Sequence, residues 1–283
     1  MGYKYKHATI WYMISFVIPV CNEEESLHAF YDELLRVIPE LDPKYEIIFV
    51  DDGSTDNSLQ LLKTFEEKDK NIKVYSFRRN LGKAEALTFG FSKAEGDYII
   101  TLDADLQDLP SEIHKLLDKA KEGTDLICGW RKERQDTQNA VISSKMFNAF
   151  AGMFWGLQLH DYNCGLKVYT KDAAKSLYLY GGMHRFIPLL VYQQGFTVAE
   201  VAVKHQERKF GKSKYDQGVL KIFKNLPDMF TMLFLAKFGK RPLHFFGVVG
   251  GIVFLLVAKL LGVKELNKLF EVFKRRFGGR KLS

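Results

Sequence analysis

The chain has 283 residues, 47% of them hydrophobic, and a formal net charge of +7. That hydrophobic share excludes a disordered chain, and the length suits one large domain or one domain plus an appendage. The positive excess suits an anionic partner: a phosphorylated substrate, an anionic membrane surface or a nucleic acid.

The first residues, MGYKYKHATIWYM, lack a long apolar core with a small-residue cleavage site, so no secretory signal is expected. Five short apolar runs follow and predict buried strands: ISFVIPV (14–20), YEIIFVDD (45–52), NIKVYSF (71–77), DYIITLDAD (97–105) and TDLICGW (124–130). Helical patterns fill the gaps at 23–38, 56–69, 83–94 and 111–122, with Ser54, Thr55 and Asp56 as capping candidates for the second. Such alternation predicts an α/β fold with a mainly parallel sheet, whose ligands sit at the carboxyl ends of the strands. Two acidic clusters, Asp51-Asp52 and Asp103-Ala104-Asp105, fall at those ends. Crowded carboxylates are costly unless a cation or hydrogen bonds offset them. Oxygen ligands of this kind suit Mg²⁺ or Mn²⁺, which binds through one or two carboxylates plus substrate phosphates. The three cysteines, Cys21, Cys128 and Cys164, form no C-x-x-C pair, which argues against a disulfide framework or a zinc site and suits a reducing compartment.

After about residue 216 the texture changes. Residues 217–242 mix bulky apolar residues with lysines, as an amphipathic juxtamembrane helix would. LHFFGVVGGIVFLLVAKLLGV (243–263) is long enough to cross a bilayer, with Lys259 near one end and Gly247 and Gly251 in a G-x-x-x-G pair. The tail 264–283 is basic and amphipathic, and so is the flank before the span; a single span and a shallow hairpin both remain open.

Taken in order and spacing, FVIPVCNEEESL, IIFVDDGSTDNS, RRNLGKAEAL and LDADLQ resemble family 2 glycosyltransferases of the GT-A fold, over roughly residues 14–216. The resemblance implies a Rossmann-like, mainly parallel sheet flanked by helices, and a nucleotide-sugar donor. Pro19, Asn22, Glu23, Asp51 and Asp52 would line the base and ribose pocket. Asp103, Ala104, Asp105 and Gln107 would lie at the donor diphosphate, with Asp103, Asp105 and Gln107 as ligands of Mg²⁺ or Mn²⁺. Arg78, Arg79 and Lys83 would add positive charge.

A second set, GWRKER (129–134), SSKMFN (143–148), DYNCGLKVY (161–169) and HQERKFGKSKY (205–215), resembles the polyprenyl-phosphate branch of that family. That branch includes dolichol-phosphate mannose synthase and undecaprenyl-phosphate glucosyltransferases. By that resemblance Arg131, Ser144 and Lys145 would face the acceptor phosphate, Asp161 and Lys167 would stand near the reaction centre, and Arg208, Ser213 and Lys214 would close over the diphosphate. Asp105, Arg131 and Asp161 are the residues expected to carry catalysis. His184 and His205 read as structural or substrate-orienting, having no acidic partner nearby in sequence.

The expectation is a membrane-attached hexosyltransferase with its catalytic domain on the cytoplasmic face. It would move a sugar from a UDP-glucose or GDP-mannose type donor to polyprenyl phosphate with inversion. The division expected is 1–216 catalytic, 217–242 juxtamembrane, 243–263 transmembrane and 264–283 tail. A processive polysaccharide synthase is disfavoured because none of Trp11, Trp130 and Trp155 closes a Q-x-x-R-W signature. A non-catalytic nucleotide-sugar scaffold would have lost its metal ligands, and no nucleic-acid module accompanies the basic charge. Assembly as a homo-oligomer is left open.

Overall fold

The computed structural model describes residues 12–41, 44–132, 156–207, 231, 234 and 242–263. The chain divides into two compact units, Met1–Asp228 and Met229–Ser283.

Among the described residues of the first unit, seven strands form one sheet in the order β3-β2-β1-β4-β6-β5-β7. They are β1 (Met13–Val20), β2 (Lys44–Asp51), β3 (Ile72–Ser76), β4 (Tyr98–Thr101), β5 (Leu126–Arg131), β6 (Lys167–Thr170) and β7 (Val198–Val203). All neighbours pair in parallel except where β6 runs antiparallel to β4 and β5. From Phe16 to Ile18 and from Ile47 to Val50 every residue of β1 and β2 is buried, the pattern of strands covered on both faces. Helix α1 (Glu24–Leu41) lays Leu27, Phe30, Leu34, Val37 and Ile38 into the core at helical spacing. Helix α2 (Ser58–Lys68) stacks Phe65 on Tyr31 with ring centroids 4.3 Å apart. Helices α3 (Lys83–Lys93) and α4 (Ile113–Lys121) complete the crossovers, and the short helices α5 (Lys171–Lys175) and α6 (Ile187–Gln193) follow β6.

Four details depart from the sequence reading. Helix α1 runs through Pro39 to Leu41, where the Tyr12 hydroxyl donates to the Leu41 carbonyl at 2.9 Å. Helix α2 has Asn57 at its N-cap with no side-chain bond; the Asp56 carboxylate instead accepts from the N–H of Ser58 at 2.9 Å and of Glu24 at 3.2 Å. Strand β6 overlaps DYNCGLKVY, which was read for its motif rather than for structure, and β7 lies in a stretch given no reading. The fourth strand ends at Thr101, not 105, because Thr101 is the last residue that β6 pairs, through Lys167.

That early end opens the sheet. The chain passes from β1 to β2 and β3 on one side, then returns to place β4 on the other. Strand β1 meets β4 only as far as Val17 opposite Thr101, yet stays on β2 to Val20 opposite Asp51. Pro19, which has no N–H to give, lies in this overhang. The result is a crevice at a topological switch point, where open α/β sheets bind ligands.

The second unit contains helix α7 (Pro242–Leu260), 19 residues with mean hydropathy 2.1. By length and composition it can cross a membrane. It ends three residues short of the expected span: Gly262, at φ +68°, lets Val263 N–H reach the Ala258 carbonyl at 3.1 Å and its own N–H reach Lys259 at 3.2 Å.

Candidate functional site

Beyond β4 the chain turns sharply, with Leu106 at φ 59° and the Asp105 carboxylate accepting from the Gln107 N–H at 3.1 Å. Asp103, two residues past the strand, points into the crevice and takes the Lys83 ammonium at 2.5 Å. Lys83 is the first residue of α3, so the pair bridges the two sides of the switch point. Burial would raise the Asp103 pKa, but the charge and hydrogen bond of Lys83, with Lys167 and His184 beyond, hold it below the usual carboxylate value. Pro19, Lys83, Asp103, Asn163, Lys167 and His184 line one cleft. Burial, then the charges of Lys83 and Arg185, bring His184 down to about 3, so its ring is neutral at physiological pH.

Asp108 holds the far wall. Its buried carboxylate accepts from the N–H groups of Gly165 at 2.8 Å and Leu166 at 3.1 Å. A Cβ at Gly165 would come within 2.7 Å of Asp103 Oδ2 and 2.9 Å of Asp108 Oδ2, so only glycine lets both carboxylates approach this loop. Lys167, buried, donates to the Cys164 carbonyl. Burial and the Asp108 charge push the Cys164 thiol well up, away from thiolate chemistry. The same turn is tied to the chain after β7: Gln206 N–H donates to the Gln107 carbonyl at 3.0 Å, and Asp108 bridges to His205.

The first acidic cluster is built into the rim. Asp51 accepts from Ser76 Oγ at 2.7 Å and Ser54 N–H at 3.2 Å. Asp52 accepts from the N–H groups of Leu81 at 2.7 Å and Gly82 at 3.0 Å, which seats the start of α3; burial raises its pKa against those bonds. Gly53, at φ +64°, abuts the backbone of Arg79 and Asn80 so closely that a Cβ would lie 2.4 Å from a main-chain carbon. Asn22, at φ 53°, accepts from Thr55 N–H at 2.7 Å, and Glu23 donates its N–H to Ser58 Oγ at 2.9 Å. These residues interlock the loops after β1, β2 and β3.

Arg131, at the end of β5, and Asp161 form a buried two-point pair, with Nε to Oδ2 at 2.6 Å and Nη2 to Oδ1 at 3.0 Å. Burial would lower Arg131, but Asp161 raises it well above the ordinary guanidinium. Two residues expected to act separately are thus partners. Ala104 is buried in the core. Ser144, Lys145, Arg208, Ser213 and Lys214, and the stretches 217–230 and 264–283, lie outside the described residues. Asp108, Asn163 and Gly165 were not singled out from the sequence. Their signal was position: Asp108 follows the acidic pair by three residues, and the other two sit inside DYNCGLK.

Among the described residues no group of three or more His, Cys, Asp or Glu side chains is placed to hold a metal ion. The donor set fits a hard divalent ion that completes its shell with phosphate oxygens and water: two acidic side chains on one turn, beside the wall that Gly165 leaves open.

Residues 15–178 match the model of Glycosyl transferase family 2, and the chain belongs to that family. Among its relatives is an undecaprenyl-phosphate 4-deoxy-4-formamido-L-arabinose transferase of Proteus mirabilis, 37% identical over 88% of this chain and 76% of that one. Another is a dodecaprenyl-phosphate galacturonate synthase of Rhizobium johnstonii, 34% identical over 88% and 75%. Both are polyprenyl-phosphate glycosyltransferases by name. The fold is shared with glucosyl-3-phosphoglycerate synthase of Mycobacterium tuberculosis, solved with Mn²⁺ and UDP-glucose: TM-score 0.60 at 17% identity, covering 80% of this chain and 79% of that one.

Proposed function

We propose that the chain transfers a glycosyl group from a nucleoside-diphosphate sugar to a polyprenyl phosphate, with inversion and with a divalent ion at the donor diphosphate. The observation that carries this reading is the acidic turn Asp103–Asp105 at the switch point, with Lys83 reaching across to it. Pro19, Asn22, Glu23, Asp51 and Asp52 frame the nucleotide end, most of them by shaping loops whose backbone meets the base and ribose. Asp103 and Asp105, with Gln107 beside them, would hold Mg²⁺ or Mn²⁺, whose chemistry here is to neutralise the departing diphosphate. Lys83 adds a mobile positive charge, and Arg208 and Lys214 are assigned to the same phosphates. Asp161 holds Arg131 in one orientation, so Arg131 meets an acceptor phosphate through an edge already fixed; Ser144 and Lys145 are assigned there too. The acceptor is anionic at neutral pH, so positioning matters more than a strong base. Neutral His184 offers the bound sugar a hydrogen bond without repelling Lys83.

Helix α7 supports membrane attachment, and the division into 1–216, 217–242, 243–263 and 264–283 with the catalytic part on the cytoplasmic face is part of the reading. The relatives are named for an arabinose derivative and a uronate. The donor is therefore put at the level of a nucleoside-diphosphate pentose or hexose, wider than UDP-glucose or GDP-mannose. A panel of radiolabelled nucleotide sugars with undecaprenyl or dolichyl phosphate, in detergent with Mg²⁺ or Mn²⁺, tests it. Label entering the lipid phase, and stopping with EDTA, is expected; no transfer from any donor rejects the reading.

A further inference from the structure

We infer that Lys83 is an exchangeable counter-ion: it holds the Asp103 carboxylate until a divalent ion displaces it, and then takes the donor diphosphate as its new partner. Ion and nucleoside diphosphate therefore bind interdependently. This inference rests on the proposed donor site and goes beyond it, because it assigns Lys83 a change of partner rather than a fixed phosphate contact.

The geometry sets up the exchange. Lys83 Nζ lies 2.5 Å from Asp103 Oδ1. A hard divalent ion would need that carboxylate at about 2.0–2.1 Å, and an ammonium beside it would repel the incoming charge. The two cations compete for Oδ1, and in the exchange Lys83 gives it up. A displaced ammonium inside a partly buried cleft costs free energy unless an anion receives it. His184, its ring neutral, can accept a hydrogen bond but supplies no compensating charge. Lys167, the second lysine near Asp103, is buried and anchored on the Cys164 carbonyl, so it stays as a fixed positive neighbour. Lys83 differs: its side chain is 29% exposed, on a flexible four-carbon stem. Its backbone end is held, since Asp52 grips Leu81 and Gly82 immediately before it. The swing is confined to the side chain.

The experiment is a Mn²⁺ titration of the full chain in detergent, read by the electron-spin signal of free Mn²⁺, with and without UDP or GDP. In the wild type, one of the two nucleotides is expected to tighten Mn²⁺ binding by about 10–100-fold. Lys83→Met is expected to bind Mn²⁺ alone about tenfold tighter than the wild type, and to lose most of the nucleotide effect. Lys83→Arg, which keeps the charge, should keep the coupling, and circular dichroism of both variants checks that the sheet is intact. If Lys83→Met binds Mn²⁺ alone no more tightly and keeps the full nucleotide effect, the exchange is wrong. In that case, loss of Mn²⁺ binding in Asp103→Asn leaves the donor site standing. Wild-type Mn²⁺ binding indifferent to both nucleotides and to Asp103→Asn removes the exchange and the donor site together.

Discussion

The sheet carries a buried or half-buried carboxylate with a lysine at each of its ends, and the two pairs are built for different purposes. At the amino ends of the strands Glu46, its side chain 4% exposed, accepts from Lys73 at 2.8 Å, Ser15 Oγ at 2.5 Å and the Glu95 N–H at 2.7 Å. At the carboxyl ends Asp103, 33% exposed, takes Lys83 and faces the cleft. Three internal donors leave Glu46 little to offer a ligand, so that network rigidifies the fold. An acid held mainly by one movable lysine is available to something that arrives later. The lesson is that an acid–lysine pair means nothing functional by itself; the number and mobility of its donors decide.

The sharpest challenge to this contrast is the Arg131–Asp161 pair, which lies at the open end but is built like the closed one, 11% and 4% exposed. Arg131→Ala should destabilise the chain by about 3–5 kcal/mol in denaturant titrations, because it strands a buried carboxylate. Removing Asp161 as well should recover part of that loss; no recovery would mean that the pair is not the reason for the loss. Next in size, Asp103→Asn should lower sugar transfer by about 10²–10³-fold while leaving the melting temperature within a degree or two. Glu46→Gln should do the reverse, costing about 1–3 kcal/mol, read as a Tm lower by several degrees, with donor KM unchanged.

The pH dependence of that last variant follows from its ionisation. Burial would raise the Glu46 pKa, but Lys73, Ser15 and the Glu95 N–H outweigh it and hold it below the ordinary glutamate value. Its contribution is therefore full above pH 4.5 and is lost as the pH falls through the lower folded value. Wild type and Glu46→Gln should differ most in Tm at neutral pH and converge in acid. Smallest, Gly165→Ala should push Asp103 aside, raising donor KM about tenfold with little change in Tm. A loss of stability there instead would place Gly165 with the closed end.

Much of this was legible in the sequence because the apolar runs are long and unbroken. ISFVIPV and YEIIFVDD are buried as expected; Asp51 closes β2, and Asp103 follows the end of β4 by two residues. The antiparallel β6 was hidden: KVYT is too short to show a period and lies inside a stretch rich in polar motif residues. VAEVAV did carry a readable β-rich pattern. For the site, type and position were readable but pairing was not. Nothing local in DYNCGLK says that its aspartate clasps an arginine thirty residues earlier, or that Asp108 clamps its glycine. Those links are made by topology, which brings β6 back between β4 and β5.

The crevice itself follows from counting residues. Strand β1 has eight and β4 has four, and the missing partner length leaves a slot inside an otherwise continuous sheet. A slot made by strand length survives changes in the side chains that line it. Evolution can therefore redraw the lining with little cost to the scaffold, and relatives named for an arabinose derivative and for a uronate are the diversity such a scaffold permits.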